Sequence, residues 1–202
     1  EQLSVTVYGY LPFMEDCVLE SRPLGLIPAG ELPQIQAQLQ RLAKQAEETI
    51  DIDGLLALAN TANKITDSSF RSSSAITNKA PVNIGIAKDA AFCFYYEDNL
   101  ELLTDLGVNL IPFSPIHDTS LPSDLDGLLL GGGYVDLYAN ELSQNQTMRQ
   151  SIYDALKHGL PCIAEGSGFS YLHQTISDNQ GSPKTMVGIF PEHIQTAKRL
   201  QN

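Results

Sequence analysis

The stretch that decides how this chain is read is Pro161-Cys162-Ile163-Ala164-Glu165-Gly166-Ser167-Gly168-Phe169-Ser170-Tyr171-Leu172. An apolar run ends in Glu165, three small residues follow, and then aromatic and aliphatic side chains resume at helical spacing. The pattern predicts a strand entering a sharp turn that opens a helix, the geometry in which α/β enzymes display a nucleophile. Yet the apex residue is Gly166, which has no side chain.

Upstream, the segment 126–136, DGLLLGGGYVD, repeats the motif of an apolar strand running into glycines. Taken alone, Gly131-Gly132-Gly133 reads either as a tight turn or as backbone turned toward a ligand, since glycine takes positive φ without a Cβ penalty. It lacks the G-x-G-x-x-G spacing of a dinucleotide site. Two such strands side by side in a parallel sheet would bring both glycine turns to one edge, where paired backbone N–H groups form an oxyanion hole. The two turns that could supply such groups are Gly131 to Gly133 and Gly166 to Gly168.

The surrounding elements support that arrangement. VNIGIA (82–87) reads as a strand, YEDNLELLTDLG (96–107) as a helix with acidic residues in its first turn, and VNLIPF (108–113) as a strand. A helix is expected around Gln144 to His158, before the strand LPCIAE. The order β-α-β-β-α-β predicts an α/β domain, its mostly parallel sheet flanked by helices, from residue 81 to residue 202.

The first third of the chain reads differently. SVTVYGYLP (4–12) alternates as a strand. Apolar residues from Leu32 to Ile50 recur at steps of three and four, marking an amphipathic helix, and Asp53 is placed to cap a second one. Residues 63–80 are rich in Ser, Thr and Asn and are expected to form a linker, separating a first unit, 1–62, from the α/β domain.

Composition narrows the function. The chain has 202 residues with 43% hydrophobic content, enough for a real core. With 12 basic against 24 acidic residues it does not suit nucleic acid, and no apolar run reaches the roughly 18 residues of a membrane span. Without a signal pattern, the expected location is the cytoplasm, and the start at Glu1 suggests an excised piece.

Cys17, Cys93 and Cys162 lie far apart in apolar surroundings and are read as reduced packing thiols, with no metal site. Cys162 is expected to point into the core and Cys93 to sit in a loop. Asn145-Gln146-Thr147 matches a glycosylation sequon and is read as helix surface. Among the histidines, His117 falls in a loop, His158 at a helix end, His193 after Pro191, and His173 on the helix after the elbow, about two turns past the apex. None has the address of a catalytic base.

Three blocks, VNIGIAKDAAFCFYYEDNLELL, DGLLLGGGYVDLYANELSQNQTMRQSI and GLPCIAEGSGFSYL, resemble the cobyrinic acid a,c-diamide synthase family, the ATP-dependent glutamine amidotransferases of cobalamin biosynthesis. The likeness runs nearly continuously over residues 3–200. It implies a class I glutamine amidotransferase-like (flavodoxin-like) domain, truncated before its C-terminal end and preceded by the last elements of a P-loop-type α/β synthetase domain. It also implies a parent enzyme that uses glutamine, ATP and Mg²⁺ to amidate carboxylates of a cobyrinic acid-type tetrapyrrole, with no cofactor expected on this fragment.

The departures from the family pattern carry as much weight. The family elbow reads like A-E-C-G-G, which sets its nucleophilic Cys on Gly166 and its neighbouring oxyanion Gly on Ser167. The family's GGGYPE becomes Gly131-Gly132-Gly133-Tyr134-Val135-Asp136, with Tyr134 retained in the glutamine-binding turn. By the resemblance, the general-base His lies beyond Asn202 and the P-loop before Glu1. Two readings of Gly166 stand: a divergent member that has lost glutaminase chemistry, or a glycine introduced at the position. Function divides likewise between a piece of an amidoligase and an inactive docking or glutamine-sensing module. Flavodoxin-like cofactor binding fits less well, because the sheet-edge glycines lack a Ser/Thr-rich phosphate loop.

Overall fold

A computed structural model describes residues 5–19, 21–22, 25–27, 29–64, 81–177 and 181–195. It divides into two compact units, 1–70 and 71–202. The stretch 65–80, most of the expected linker, lies outside the described residues.

In the first unit, a two-residue hairpin (β1, Ser21–Arg22; β2, Gly25–Leu26) precedes two helices, α1 (Ile35–Thr49) and α2 (Ile52–Ala59). Helix α1 begins three residues later than the apolar spacing suggests. Leu32 precedes Pro33, whose ring disfavours helical backbone at the residue before it. The cap of α2 is Asp51 and not Asp53: the Asp51 carboxylate accepts the Gly54 N–H at 2.9 Å. Asp53 lies one residue inside the helix, where its charge faces the positive end of the helix dipole.

The strand expected over 4–12 does not form among its described residues. Only one antiparallel bridge joins Gly9 to Ile50, with Asp51 N–H donating to the Tyr8 carbonyl at 2.6 Å. Val5 and Val7 alternate as predicted but remain exposed, because alternation supplies a face and not a partner strand.

The second unit is built on a four-stranded parallel sheet of β3 (Val82–Ala87), β5 (Val108–Phe113), β6 (Gly127–Leu130) and β8 (Cys162–Ala164), in the order β5-β3-β6-β8. Helices α3 (Glu97–Asp105), α4 (Ala139–Gln144) and α5 (Gln146–Lys157) connect these strands. Two short pieces at the strand ends, β4 (Phe92–Phe94) and β7 (Gly132–Gly133), pair antiparallel. Cys93 thus sits on a strand, half-buried, and not in a loop.

Beyond β8 the chain departs further from expectation. Helix α6 covers only Ser167–Tyr171, and His173 opens β9 (His173–Ser177). That strand pairs antiparallel with β10 (Pro183–Thr185) and parallel with β11 (Phe190–Gln195). The helix stops because backbone N–H groups of Val187 and Ile189 take the Tyr171 and Leu172 carbonyls at 3.0 and 2.9 Å, while Gly188 N–H takes that of His173 at 2.9 Å.

The core gathers Phe92, Leu130, Val135, Leu142, Met148, Ile152 and Tyr171, all fully buried. Each of the wholly apolar side chains among them contributes about 1.5–3 kcal/mol through removal from water. Asn145 is no mere surface residue. Its carboxamide oxygen caps α5 by accepting Met148 N–H, and its Nδ2 donates to the carbonyls of Pro115, Ile116 and Asp118 at 2.8–3.3 Å, pinning the loop after β5.

Candidate functional site

The carboxyl edge of the parallel sheet holds the two glycine turns, as the paired strand-then-glycine pattern requires. Strands β6 and β8 are neighbours in register from Leu128↔Cys162 to Leu130↔Ala164, and Glu165 N–H donates to the Leu130 carbonyl at 2.9 Å. The two turns are therefore carried out of the sheet side by side.

Gly166 has φ 55° and ψ −123°, a combination that puts a side-chain-bearing residue under strain and that glycine adopts freely. A Cβ placed on it would meet only the Gly132 Cα, at 3.8 Å, which is ordinary van der Waals contact. The apex is exposed and faces the first glycine turn with room for a side chain.

Its neighbour Gly168 is different in kind. A Cβ there would fall 2.3 Å from the Leu130 carbonyl oxygen, so only glycine lets α6 lie this close to the end of β6. Ser167, the first residue of α6, has an amide without an intrahelical partner by position. Its hydroxyl is buried with no hydrogen-bond partner, and so is that of Tyr171, one turn further along the same helix. Burial pushes the Tyr171 phenol well above its ordinary range, partly opposed by the charge of Arg149.

In the first turn, Gly132 and Gly133 pair with Phe94 and Phe92 respectively. Gly133 is crowded by the Ala91 carbonyl, 2.1 Å from where a Cβ would stand. Tyr134 is buried, its N–H donates to that same Ala91 carbonyl at 2.9 Å, and its ring meets the half-exposed Phe94 edge-on at 5.0 Å. Phe94 leans over Gly132, within 3.5 Å of its added Cβ position. Gly132, Gly133, Tyr134, Gly166 and Ser167 are thus brought to one edge.

Two residues at this edge had no assigned role in the sequence reading. Asp89, in the loop after β3, accepts Ala91 and Phe92 N–H on one carboxylate oxygen and the Ser114 hydroxyl and Ile116 N–H on the other, at 2.8–3.2 Å. Tyr95 takes the Gly131 N–H at 2.9 Å and donates to the Ala87 carbonyl at 2.5 Å. Burial, chiefly, pushes its phenol up to about 12. The available signal was position: both lie between β3 and α3, in the segment beyond the carboxyl end of a parallel strand, where such sheets build their sites.

The remaining candidates stand apart from this chemistry. Cys162 packs against the core, as its place in the strand suggests, and burial pushes its thiol from 9.0 up to about 11. His173 is buried on β9, not on a helix, with Nδ1 3.0 Å from the Phe169 carbonyl and its ring against Phe169 and Phe190. His158 Nδ1 contacts the Asp154 carbonyl and His193 Nδ1 the Thr175 hydroxyl. Among the described residues, no group of three or more His, Cys, Asp or Glu side chains could hold a metal ion, and no helix is long and apolar enough to cross a membrane.

A parallel α/β sheet whose strand-to-helix elbow faces a glycine turn defines the class: an α/β domain with its candidate site at the carboxyl edge of the sheet. The chain belongs to the family of CobB/CobQ-like glutamine amidotransferase domains, whose model matches residues 83–202. Curated relatives extend the likeness across almost all of the chain. Cobyrinate a,c-diamide synthase of Synechocystis sp. is 39% identical over 201 residues, covering 99% of this chain and 41% of the relative. The proteins of the same name from Dehalococcoides mccartyi (strain CBDB1) and Syntrophotalea carbinolica are 40% and 43% identical, covering 98% and 90% of this chain but only 43% and 40% of their own lengths. The chain thus spans about two-fifths of these relatives.

Proposed function

We propose that this chain is part of a glutamine-using amidoligase that amidates carboxylates of a cobyrinic acid-type tetrapyrrole in cobalamin biosynthesis, in the cytoplasm. In this reading, residues 81–202 are its glutaminase-like domain, 63–80 a linker, and 1–62 the end of an ATP-dependent synthetase domain of P-loop type. The relatives' names support the pathway. One observation carries the site: Gly166 keeps the backbone of a nucleophile elbow and faces Gly132 with its Cβ position open.

The chemistry of such a site needs three things. A thiolate attacks the glutamine carboxamide carbon, backbone N–H groups stabilise the oxygen that becomes negative, and ammonia leaves as a thioester forms. Gly132, Gly133, Tyr134 and Ser167 are the residues proposed to bind glutamine and hold the oxyanion. The first requirement is unmet, because Gly166 brings no sulfur and Cys162, with its thiol held protonated in the sheet, is a poor substitute. ATP and Mg²⁺ belong to the parent reaction. The chain has no G-x-x-x-x-G-K-[ST] loop to cradle phosphates, and no step through them is assigned to its residues.

Ammonia release from glutamine tests this reading. The unmodified chain is expected to give none, and Gly166→Cys alone to give far less than full turnover, because an unperturbed thiol, pKa about 8.5, is only a few per cent thiolate at neutral pH. Steady turnover by the unmodified chain that vanishes in Cys162→Ala would show that the nucleophile has been misplaced. The bare apex also favours a second reading, an inactive glutamine-sensing or docking module. Calorimetry showing saturable glutamine binding without ammonia release would select it.

A further inference from the structure

The β3–β6 ladder stops one rung early. Its register runs Ile84↔Gly127, Gly85↔Leu128, Ile86↔Leu129. Continued by one residue, it would set Ala87 opposite Leu130 and join the Gly131 N–H directly to the Ala87 carbonyl, following the slanted bonding of a parallel pair. The Tyr95 hydroxyl occupies that rung instead, accepting from Gly131 N–H at 2.9 Å and donating to the Ala87 carbonyl at 2.5 Å.

The ring makes the insertion specific to this place. An added Cβ on Gly131 would come within 2.5 Å of the Tyr95 ring, so the phenol lies flush against the turn and fills the space a larger residue would need. One hydroxyl between two backbone groups spreads the strands where β6 leaves the sheet, and the next two residues, Gly132 and Gly133, then pair with β4. Tyr95 is held in turn by its neighbours in sequence: Phe92 and Phe94 are paired to the turn, and Asp89 fixes the loop ahead of them.

We propose that Tyr95 is a positioning residue of the site, a hydroxyl wedge in the β3–β6 ladder that sets the glycine turn at its working distance from residue 166. The inference rests on the reading of that turn as the glutamine-carbonyl site. Burial keeps the phenol protonated, so it accepts and donates at once over the whole physiological range. Without the hydroxyl, Gly131 and Ala87 would either close into a direct rung, drawing Gly132 away from the elbow, or lose their bond.

The test uses the 202-residue chain with Tyr95→Phe, which keeps the ring, and Tyr96→Phe, an exposed neighbour, as control. Amide exchange followed by NMR reads the turn directly: in Tyr95→Phe the Gly131 amide should exchange about tenfold faster or shift its resonance as a direct rung forms, with Gly85 in mid-strand unchanged. The second readout is made in a Gly166→Cys background. There the introduced thiolate is alkylated by a chloromethyl ketone analogue of glutamine, forming a C–S bond and releasing chloride, and in parallel by iodoacetamide, which asks only for a thiolate.

Tyr95→Phe should lower the preference for the glutamine analogue about tenfold while leaving the iodoacetamide rate in place. An altered Gly131 amide with an unchanged preference would reduce Tyr95 to a structural role and overturn the proposal. So would an unchanged Gly131 amide. Absence of any preference with Tyr95 intact would instead remove the glutamine reading itself, and the exchange measurement, made without the Cys substitution, would still decide whether Tyr95 sets the turn.

Discussion

The two strands that meet at the carboxyl edge end in glycines for different reasons. At the exit of β6, Gly131 and Gly133 are demanded by what surrounds them, the Tyr95 ring and the Ala91 carbonyl. At the exit of β8, Gly168 is demanded in the same way by the Leu130 carbonyl, but Gly166 is not. Its neighbourhood is open, and only its dihedral angles favour glycine. Three of these four glycines are therefore explained by crowding. The fourth leaves a space where a side chain could stand, so packing does not account for the empty apex.

That contrast breaks most sharply at Gly133 and Gly168. Alanine at either forces a Cβ into a carbonyl oxygen, 2.1 and 2.3 Å away, and should cost about 3–4 kcal/mol in a denaturant titration. Gly166→Ala should cost only about 1–2 kcal/mol, the strain of a Cβ at φ 55°, with the melting temperature still cooperative. Equal losses at Gly166 and Gly168 would erase the distinction between the two. A loss at Gly166 that Ala and Cys share would separate backbone strain from any effect of the thiol.

Alkaline pH sharpens the picture from the other side. The folded-state thiol of Cys162 is raised from 9.0 to about 11, so the folded chain holds its proton where the unfolded chain has released it. This contribution to stability is complete below pH 9 and is lost as pH rises toward 11. Cys162→Ala should flatten that limb of the melting-temperature profile, leaving what Tyr95 adds through its own raised phenol. The smallest effect is expected at Tyr171→Phe. It removes a buried hydroxyl that has no partner, so stability should change by less than about 0.5 kcal/mol or rise slightly.

Periodicity and glycine placement made the parallel sheet legible, because β3, β5, β6 and β8 are apolar runs ended by turn residues. The adjacency of the two turns followed from strand order. The β9–β11 sheet was hidden for a physical reason: the end of α6 depends on amides of Val187 and Ile189, fifteen or more residues further on, and no local pattern announces it. The expected strand over 4–12 failed on the opposite count, a local pattern with no partner. At the site, glycines advertised themselves by type. Tyr95 and Asp89 did not, since their roles lie in which backbone groups they reach across the edge.

The dependence of α6 on those later amides also orders events in time. A five-residue helix is far too short to persist by itself in water. On a growing chain, α6 emerges from the ribosome well before the residues whose amides take the carbonyls at its end, and that end cannot be secured until about residue 190 is free to fold back. The glycine turn after β6, whose partners Ala87, Ala91 and Tyr95 have all been made earlier, is under no such delay. During synthesis the glycine turn can therefore be set while the helix after the elbow waits, and a chain released short of residue 186 should carry a formed glycine turn beside an α6 whose end is unfixed.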